Sequence, residues 1–297
     1  MNIIGIDLGG TWIKAVLMNR LGEIIFQEYH PTHDDESGTN NWKKAIFDTV
    51  QELKVKSGDT PIECIGLSAP GLPNDKNSCI AYMPGRLQGL EFFDWSKYLG
   101  QTTHVLNDAH AATMAELQFG ALKGIKSAIL LTLGTGVGGG LVINGQIYQG
   151  LFQKAGHVGH ISLDNQGERD IMNLPGSLED AIGNSTIEKR SFGRYKTTYE
   201  LIEAYHVHDP FASWLWLDSV RKLAIGIASL VNILSPEIVV LGGGIAQAEE
   251  GLYKALSEFM ELYEWRPGGH ATPIVQAHFG DMAGAIGAAS FALNKSC

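Results

Sequence analysis

Two aspartates, Asp7 and Asp108, occupy positions from which a carboxylate could act on a reacting group. Asp7 ends an apolar run that predicts a first strand, and Asp108 follows a predicted strand over residues 104–107 and begins a helical pattern. A carboxylate at a helix N-terminus is kept ionised by the helix dipole, and it can take the proton of an attacking hydroxyl group. An ordinary N-cap aspartate is the simpler interpretation of Asp108 on its own, so the residue types alone do not assign its role.

Glycine-rich turns occur three times in the chain and suggest phosphate binding. Without a Cβ atom, a turn can bring its backbone N–H groups close to phosphate oxygens, and neighbouring threonines add hydroxyl donors. A single such run is equally well explained as a tight turn, but three runs together favour a nucleotide. The residues predicted to bind it are Asp7, Gly9, Gly10, Thr11, Thr132, Gly134, Thr135, Gly136, Gly138, Gly243 and Gly244.

The second glycine run also satisfies the dinucleotide pattern G-x-G-x-x-G, through Gly134, Gly136 and Gly139. That pattern requires a helix to begin at the glycines, so that the helix N-terminus meets the pyrophosphate. Residues 140–145 instead predict a strand that enters a hairpin at the Asn144-Gly145 pair. The context therefore argues against a dinucleotide-binding domain.

The first two glycine turns belong to an internal repeat with a constant offset of 125 residues, which matches Asp7 to Thr132 and Asn19 to Asn144. Each copy predicts three strands joined by two turns, followed downstream by a helix and a buried strand. We therefore expect two duplicated α/β domains flanking a cleft, with ligands at the carboxyl ends of the strands. The predicted domains are residues 1–118, completed by a C-terminal helix over about 283–297, and residues 119–282.

The composition favours a cytoplasmic enzyme. A chain of 297 residues that is 44% hydrophobic can bury two cores, and 22 basic against 32 acidic residues give a net charge of −10, which opposes binding to nucleic acid or acidic membranes. The three cysteines have no C-x-x-C spacing, which argues against a disulfide framework. The sequence predicts neither a secretory leader nor a membrane span.

The motifs resemble those of the ROK family of sugar kinases and sugar-responsive repressors. The matching runs lie in order along nearly the whole chain: Asp7-Leu8-Gly9-Gly10-Thr11, Leu106-Asn107-Asp108-Ala109, residues 133–140 and Leu241-Gly242-Gly243-Gly244. The resemblance implies an actin-like ATPase (ribonuclease H-like) fold, ATP phosphates at the first two turns, adenosine near the third, and a homodimer that binds a hexose or N-acetylhexosamine and phosphorylates it, with the 6-hydroxyl as the expected acceptor. Only six residues precede Asp7, where repressors carry a helix-turn-helix domain, so we expect a kinase.

The resemblance also implies roles for individual residues. Asp108 would accept the proton of the sugar hydroxyl, and Asp7 would act through Mg²⁺ or its water shell. The residues implied in sugar binding are Gly71, Asn107, Asp108, His157, His160 and Glu179. Glu179 is equally well explained as an acid in the first turn of a helix capped by Ser177. For Lys14 we favour a solvated strand residue over a phosphate contact, and for Arg86 a solvated loop charge over a position near the sugar.

The chain departs from the family pattern in the segment that usually binds zinc. Asp170, Met172 and Ser177 occupy the three cysteine positions, so we expect no zinc site. His157 stands where the family has a sugar-binding glutamate, and an imidazole that can donate a hydrogen bond should change sugar recognition. We therefore predict that glucose is not the preferred sugar. A different metal site formed by the two histidines with Asp164 or Asp170 is the weaker alternative.

Two other functions remain open from the sequence. The first is a sugar-binding sensor without catalysis, which the altered zinc segment and the replaced glutamate would suit. The second is general ATP hydrolysis of the actin or chaperone type, and polyphosphate could also replace ATP as the donor. The intact Asp7, Asp108 and phosphate turns favour the kinase over the sensor.

Overall fold

The chain divides into two compact units in the computed structural model. The structure describes residues 1–32, 41–85, 87–248 and 250–296, and Arg86 lies outside this part of the chain. Unit 1 comprises Met1–Gly124, Ile147–Ala155 and the C-terminal segment from Asp281, and unit 2 comprises Ile125–Gln146 and Gly156–Gly280. These boundaries differ from 118/119 and 282/283 by a few residues, and they place the segment 147–155 in unit 1 instead of the second domain.

The regular elements of the described residues are numbered in chain order. The strands are β1 (Asn2–Leu8), β2 (Trp12–Asn19), β3 (Ile24–Pro31), β4 (Ile62–Ala69), β5 (Leu72–Pro73), β6 (Ile80–Tyr82), β7 (Thr103–Asn107), β8 (Ser127–Leu133), β9 (Val137–Ile143), β10 (Gln146–Tyr148), β11 (Ile238–Gly242) and β12 (Ile274–Gln276). The helices are α1 (Asn41–Lys56), α2 (Trp95–Leu99), α3 (Asp108–Phe119), α4 (Leu178–Ile182), α5 (Ile187–Arg190), α6 (Thr198–His206), α7 (Pro210–Leu234), α8 (Glu250–Tyr263) and α9 (Ala283–Ser296).

Two five-stranded sheets repeat one topology. Their strand orders are β3-β2-β1-β4-β7 and β10-β9-β8-β11-β12. In each sheet the first strand in sequence pairs antiparallel with the next strand and parallel with a later one. Strand β8 lies 125 residues after β1 at both of its ends, so the predicted repeat is confirmed. Strand β1 is buried along nearly its whole length, as expected for a strand covered on both faces.

Helix α9 packs closely on β1, β4 and α3 of unit 1. A Cβ atom added at Gly66 of β4 would lie 2.7 Å from the backbone nitrogen of Ala289, and one added at Gly287 would lie 2.5 Å from the carbonyl carbon of Ala111. Glycine and alanine therefore let this helix approach the sheet and its neighbouring helix more closely than larger residues would allow. The last described helix is thus part of the core of unit 1.

Helix α7 provides the centre of the core of unit 2. Its N-cap is Asp209, whose carboxylate accepts a hydrogen bond from the backbone N–H of Ala212, and Pro210 occupies the first turn, where a missing N–H has no cost. Trp216, Leu223 and Ile227 of this helix are fully buried. Among the described residues, none of the helices combines the length and apolar character that crossing a bilayer requires.

Candidate active site

The predicted site residues fall into two groups. Unit 1 contains Asp7, Gly9, Gly10, Thr11, Gly71, Asn107 and Asp108, and unit 2 contains Thr132, Gly134, Thr135, Gly136, Gly138, His157, His160, Glu179, Gly243 and Gly244. In unit 1 the parallel strands β1, β4 and β7 are neighbours, so their carboxyl ends bring Asp7 and Asp108 to one edge of the sheet. This is the edge at which ligands of α/β sheets bind.

Asn107 sets the position of Asp108. The Asn107 side-chain oxygen accepts hydrogen bonds from the backbone N–H groups of Ala109, at 3.0 Å, and His110, at 3.3 Å, so Asn107 is the N-cap of α3. Asp108 is therefore the first residue of the helix, and the interpretation of Asp108 as an N-cap is wrong. The Asp108 side chain is exposed, which leaves the carboxylate accessible beside the positive end of the helix dipole.

The Asn107 side chain is also engaged on its donor side. Its Nδ2 donates a hydrogen bond to the backbone oxygen of Gly71, at 3.0 Å, and the residue is 4% exposed. Gly71 has a φ of 98°, and a Cβ atom there would lie 2.5 Å from the Tyr82 carbonyl oxygen. Asn107 thus holds the Gly71 turn and the start of α3 together, and direct sugar binding by either residue stays a prediction.

Asp7 lies near the end of β1, where its side chain is closely packed between β4 and α9. The Ser68 hydroxyl donates a hydrogen bond to Asp7 Oδ1 at 2.7 Å, from the neighbouring strand β4, and Ser68 itself is fully buried. On the other side, a Cβ atom added at Gly284 in the first turn of α9 would lie 2.6 Å from the same oxygen. The sequence motif predicted Asp7, but Ser68 and Gly284 have no local signal that would connect them to it.

The Asp7 carboxyl has a pKa raised to about 6, although the residue keeps some solvent exposure. Burial is the largest cause, and the negative charges of Asp108 and Asp281 add to it, whereas the Ser68 hydrogen bond and the Lys14 charge oppose it. The charges of Asp108 and Asp281 both act on the Asp7 carboxyl, and a cation near these carboxylates would offset that repulsion. Their oxygen donors fit Mg²⁺.

Lys14 and Asp281 contact each other close to Asp7, at the same edge of the unit 1 sheet. Lys14 is the antiparallel partner of Asp7, and its ammonium group donates a hydrogen bond to the Asp281 backbone oxygen at 2.8 Å. The Tyr29 hydroxyl donates to the Asp281 carboxylate at 3.3 Å. Lys14 is therefore not simply a solvated strand residue. Its register opposite Asp7 could have been predicted from the hairpin, but the contact with Asp281 could not.

The first glycine turn is fixed by Thr32. The Gly9 N–H donates to the Trp12 carbonyl oxygen at 3.0 Å, and the Thr32 hydroxyl donates to the Gly9 carbonyl oxygen at 2.7 Å. The Thr32 N–H in turn donates to the Thr11 carbonyl oxygen at 2.9 Å. These contacts use carbonyl groups at both ends of the turn.

In unit 2 the strand register brings the second and third glycine-rich runs side by side. Thr132 of β8 lies opposite Gly138 of β9 and Gly242 of β11. The turn that joins β8 to β9 is held from outside, because the Asn184 and Ser185 N–H groups donate to the carbonyl oxygens of Gly134 and Thr135, both at 2.9 Å. The residues predicted around this turn are therefore neighbours.

A cavity of about 810 Å³ adjoins this turn within unit 2. It is lined by Gly134, Thr135, Asn184, Thr197, Thr198, Tyr199, Ile202, Glu203, His206, Gly244, Ile245, Gln247 and Ala248. The volume and the mixed lining are typical of a small-molecule site. Three of the predicted residues contribute to this wall, whereas the wall from α6 was missed because its residues carry no recognisable motif.

Glu179 braces the glycine turn. Its Oε2 accepts a hydrogen bond from the Val137 N–H at 2.9 Å, and a Cβ atom added at Gly136 would lie 2.9 Å from the carboxyl carbon. Ser177 is the N-cap of α4 and accepts from the Asp180 N–H at 3.3 Å, so the predicted cap is confirmed. Sugar binding by Glu179 stays a prediction beside this observed role.

The two predicted sugar-binding histidines lie on the turn before and within Val158–His160. Their imidazole rings are parallel, with centroids 6.4 Å apart. His160 Nδ1 lies 4.0 Å from Asp170 Oδ2, while the Met172 side chain is exposed and Ser177 caps α4. Two nitrogen or carboxylate donors without a third ligand do not fit a tetrahedral zinc site.

Comparison with known proteins places this architecture in a class. The structure matches that of a ROK hexokinase from Thermus thermophilus with a TM-score of 0.87 and 33% identity, over 99% of both chains. The fold is therefore the actin-like ATPase fold, as predicted. The sequence profile of the ROK family matches residues 3–295, and the chain belongs to that family.

Curated relatives of the chain include sugar kinases. A glucokinase of Halalkalibacterium halodurans is 30% identical over 309 residues, covering 96% of this chain and 92% of the relative. An N-acetylmannosamine kinase of Escherichia coli is 30% identical over 299 residues, covering 98% of each. The predicted family resemblance is thus confirmed.

Proposed function

We propose that the protein is an ATP-dependent sugar kinase that transfers the γ-phosphoryl group to a hydroxyl of a hexose or N-acetylhexosamine, with the 6-hydroxyl as acceptor. The observation that carries this proposal is the placement of Asp108, an exposed carboxylate at the first position of α3, close enough to Asp7 to affect its charge. Phosphoryl transfer mainly needs positioned reactants and a group that orients the attacking hydroxyl. Asp108 would orient and deprotonate that hydroxyl.

ATP is a better donor for this site than polyphosphate. The cavity of unit 2 extends from the Gly134 turn to α6, and it provides a recess beside Gly244 for a nucleoside. A linear polyphosphate would use the backbone N–H groups of the turn but would have no need of that recess. Glycine at positions 134 and 136 leaves no side chain to block phosphate oxygens from this turn, in which the Gly134 N–H donates to the Gly136 carbonyl oxygen at 3.0 Å.

Asp7 would hold Mg²⁺, directly or through water. The ion neutralises phosphate charge during phosphoryl transfer, and oxygen donors are its preferred ligands. Burial and, to a lesser extent, the charges of Asp108 and Asp281 raise the Asp7 pKa, and this cation would offset both effects on the carboxylate. Ser68 would keep the carboxylate in one orientation through its hydrogen bond to Oδ1.

The sugar itself is proposed only by class. His157 and His160 present parallel imidazole rings, and an imidazole can donate as well as accept a hydrogen bond. We therefore expect an acceptor group at the matching sugar position, and we retain the prediction that glucose is not preferred. A homodimer and a cytoplasmic location complete the proposal, the latter supported by Cys79, a buried cysteine with a free thiol.

A panel of hexoses and N-acetylhexosamines with ATP and Mg²⁺, read by coupled ADP release, tests the proposal. Asp108→Asn should lower kcat by about 10² or more, because the amide cannot accept the hydroxyl proton. The matched control is Asp94→Asn, at the N-cap of α2 in the same unit, where asparagine caps equally well and kcat should stay the same.

The outcomes separate the kinase from its alternatives. Wild-type turnover that survives Asp108→Asn would remove Asp108 from the mechanism. Sugar binding without ADP release for every sugar would instead indicate the sensor. ADP release that no sugar accelerates would indicate general ATP hydrolysis, and turnover that is faster with polyphosphate than with ATP would overturn the choice of donor.

A further inference from the structure

Asp170 is a buried carboxylate that the proposed reaction does not use. Its side chain is fully buried, although most aspartates remain exposed unless they have partners. Its Oδ1 accepts hydrogen bonds from the backbone N–H groups of Met172 and Leu174, both at 2.9 Å. The Asp170 N–H also donates to the Leu174 carbonyl oxygen at 2.9 Å. The carboxylate therefore organises the turn over residues 170–174.

The second carboxylate oxygen faces His160. Asp170 Oδ2 and His160 Nδ1 are 4.0 Å apart, a distance for electrostatic attraction but too long for a hydrogen bond; both atoms are buried, and neither has a hydrogen-bond partner among the described residues. A buried carboxylate oxygen that faces a single imidazole nitrogen favours an orientation in which that nitrogen carries a proton. Because Nδ1 is buried, the exposed part of the His160 ring consists of its other atoms. Nε2 is therefore the ring nitrogen that could bind a ligand.

The local donor set does not suit a metal at this position. Among the described residues, three or more histidine, cysteine or carboxylate ligand atoms come within 4.8 Å of one another at Glu28, His30 and Glu52 in unit 1, and not around His160. The Ser177 hydroxyl accepts a hydrogen bond as the cap of α4 and interacts with the Asp170 carboxylate, and Met172 is 41% exposed. The turn is closed by its own hydrogen bonds.

We propose that Asp170 is a positioning residue that holds the His160 ring and the turn over residues 170–174 in place without a metal ion, so that His160 presents Nε2 to the sugar. The claim that His160 presents Nε2 to the sugar rests on the proposed function. The claim that Asp170 holds His160 and the turn without a metal ion does not. Burial raises the pKa of the Asp170 carboxyl, whereas the hydrogen bonds it accepts and the His160 charge outweigh burial and hold that pKa below its usual range. The carboxylate is therefore ionised at neutral pH.

The substitution Asp170→Asn distinguishes the contact of this side chain with the turn from its contact with His160. An amide oxygen can still accept from Met172 and Leu174, but an amide NH₂ group then faces His160 and the negative charge is lost. The matched control is Asp164→Asn, in the same segment, whose carboxylate accepts from the Gln166 N–H and has an exposed side chain. Together with wild type and Asp170→Asn, the variants His160→Ala and Asp170→Asn/His160→Ala complete a double-mutant cycle.

We expect Asp170→Asn to raise KM for the sugar about tenfold, with kcat changed less than about threefold and KM for ATP unchanged, because ground-state positioning is lost. The double variant should show the same KM as His160→Ala alone, since Asp170 acts through His160. Equal sugar KM values for Asp170→Asn and Asp164→Asn, or additive effects in the cycle, would overturn the positioning role.

Two further measurements need no kinase activity. The purified wild-type protein should contain less than about 0.1 zinc per chain, and a chelator should leave its melting temperature unchanged, in contrast to proteins folded around structural zinc. Asp170→Ala, which removes the acceptor of two backbone N–H groups, should lower that temperature by about 5 °C or more relative to Asp164→Ala. Stoichiometric zinc, or unfolding by the chelator, would overturn the metal-free anchor even if no sugar were phosphorylated.

Discussion

Replacement of Asp7 by asparagine should stabilise unit 1 at neutral and alkaline pH while it removes the proposed magnesium ligand. The raised pKa means that the folded protein binds a proton at Asp7 more tightly than the unfolded chain does. Stability from this group is therefore fully present below the unfolded value of 3.8 and is lost as pH rises through the folded value of about 6. The shift corresponds to about 3 kcal/mol at pH 8 and about 1 kcal/mol at pH 4.5.

The substitution removes this ionisation and little else. The side-chain oxygen of asparagine can still accept the hydrogen bond from Ser68, and the side chain has the same shape beside Gly284. The difference in opening free energy between Asp7→Asn and wild type should therefore grow by about 2 kcal/mol between pH 4.5 and pH 8. Other acids titrate in this range too, but they contribute equally to both proteins and cancel.

Hydrogen exchange of the β1 amides in magnesium-free buffer measures this difference in unit 1 itself. Asp94→Asn provides a control whose difference from wild type should not depend on pH. Asp108→Asn should show a smaller pH dependence than Asp7→Asn, because Asp108 is only one of the charges that raise the Asp7 pKa. A variant at Asp7 that is less stable than wild type at pH 8, or a difference that is constant with pH, would refute the reasoning.

Two further predictions concern unit 2. Gly136→Ala should lower the free energy of unfolding by about 1–2 kcal/mol, because the methyl group displaces the Glu179 carboxylate from the Val137 N–H. In the same denaturation assay Gly134→Ala is the control, since a Cβ atom there would meet nothing within 4 Å. An equal loss of unfolding free energy in both variants would argue that the contact between Glu179 and the Val137 N–H does not stabilise the turn. Arg190→Met should cost about 1–3 kcal/mol by urea denaturation, because this mostly buried guanidinium donates to the Gly183 backbone, Thr186 and Ser219, which would lose their donor; a loss under about 1 kcal/mol would contradict that role.

The duplicated sheets could be predicted because local patterns determine them. The hairpin repeat, α1, α7 and α9 follow from apolar periodicity and from glycine and asparagine at the turns. The short helices α5 and α6 could not be predicted in this way, and α4 was predicted only from its cap at Ser177. They are held by contacts between distant residues, such as the hydrogen bond from Arg190 to Ser219, and their own sequences carry little periodic signal.

The candidate site shows the same limit. Asp7 and Asp108 could be proposed from the sequence because each lies at the end of a buried strand and belongs to a short motif. The capping role of Asn107 was missed, although an asparagine before a predicted helix is itself a cap signal. Ser68, Asp281 and Gly284 reach Asp7 only through the fold, and no spacing rule relates residues so far apart.

The place of α9 in the core of unit 1 has a consequence for biosynthesis. Strands β1 and β4 leave the ribosome early, but the helix that covers them is translated more than 200 residues later. Until then their glycine-lined surfaces face water, while the elements of unit 2 from β8 to β12 have already been made. Nascent chains should therefore complete the second core before the first, and the exposed early strands are the surfaces that a molecular chaperone would shield.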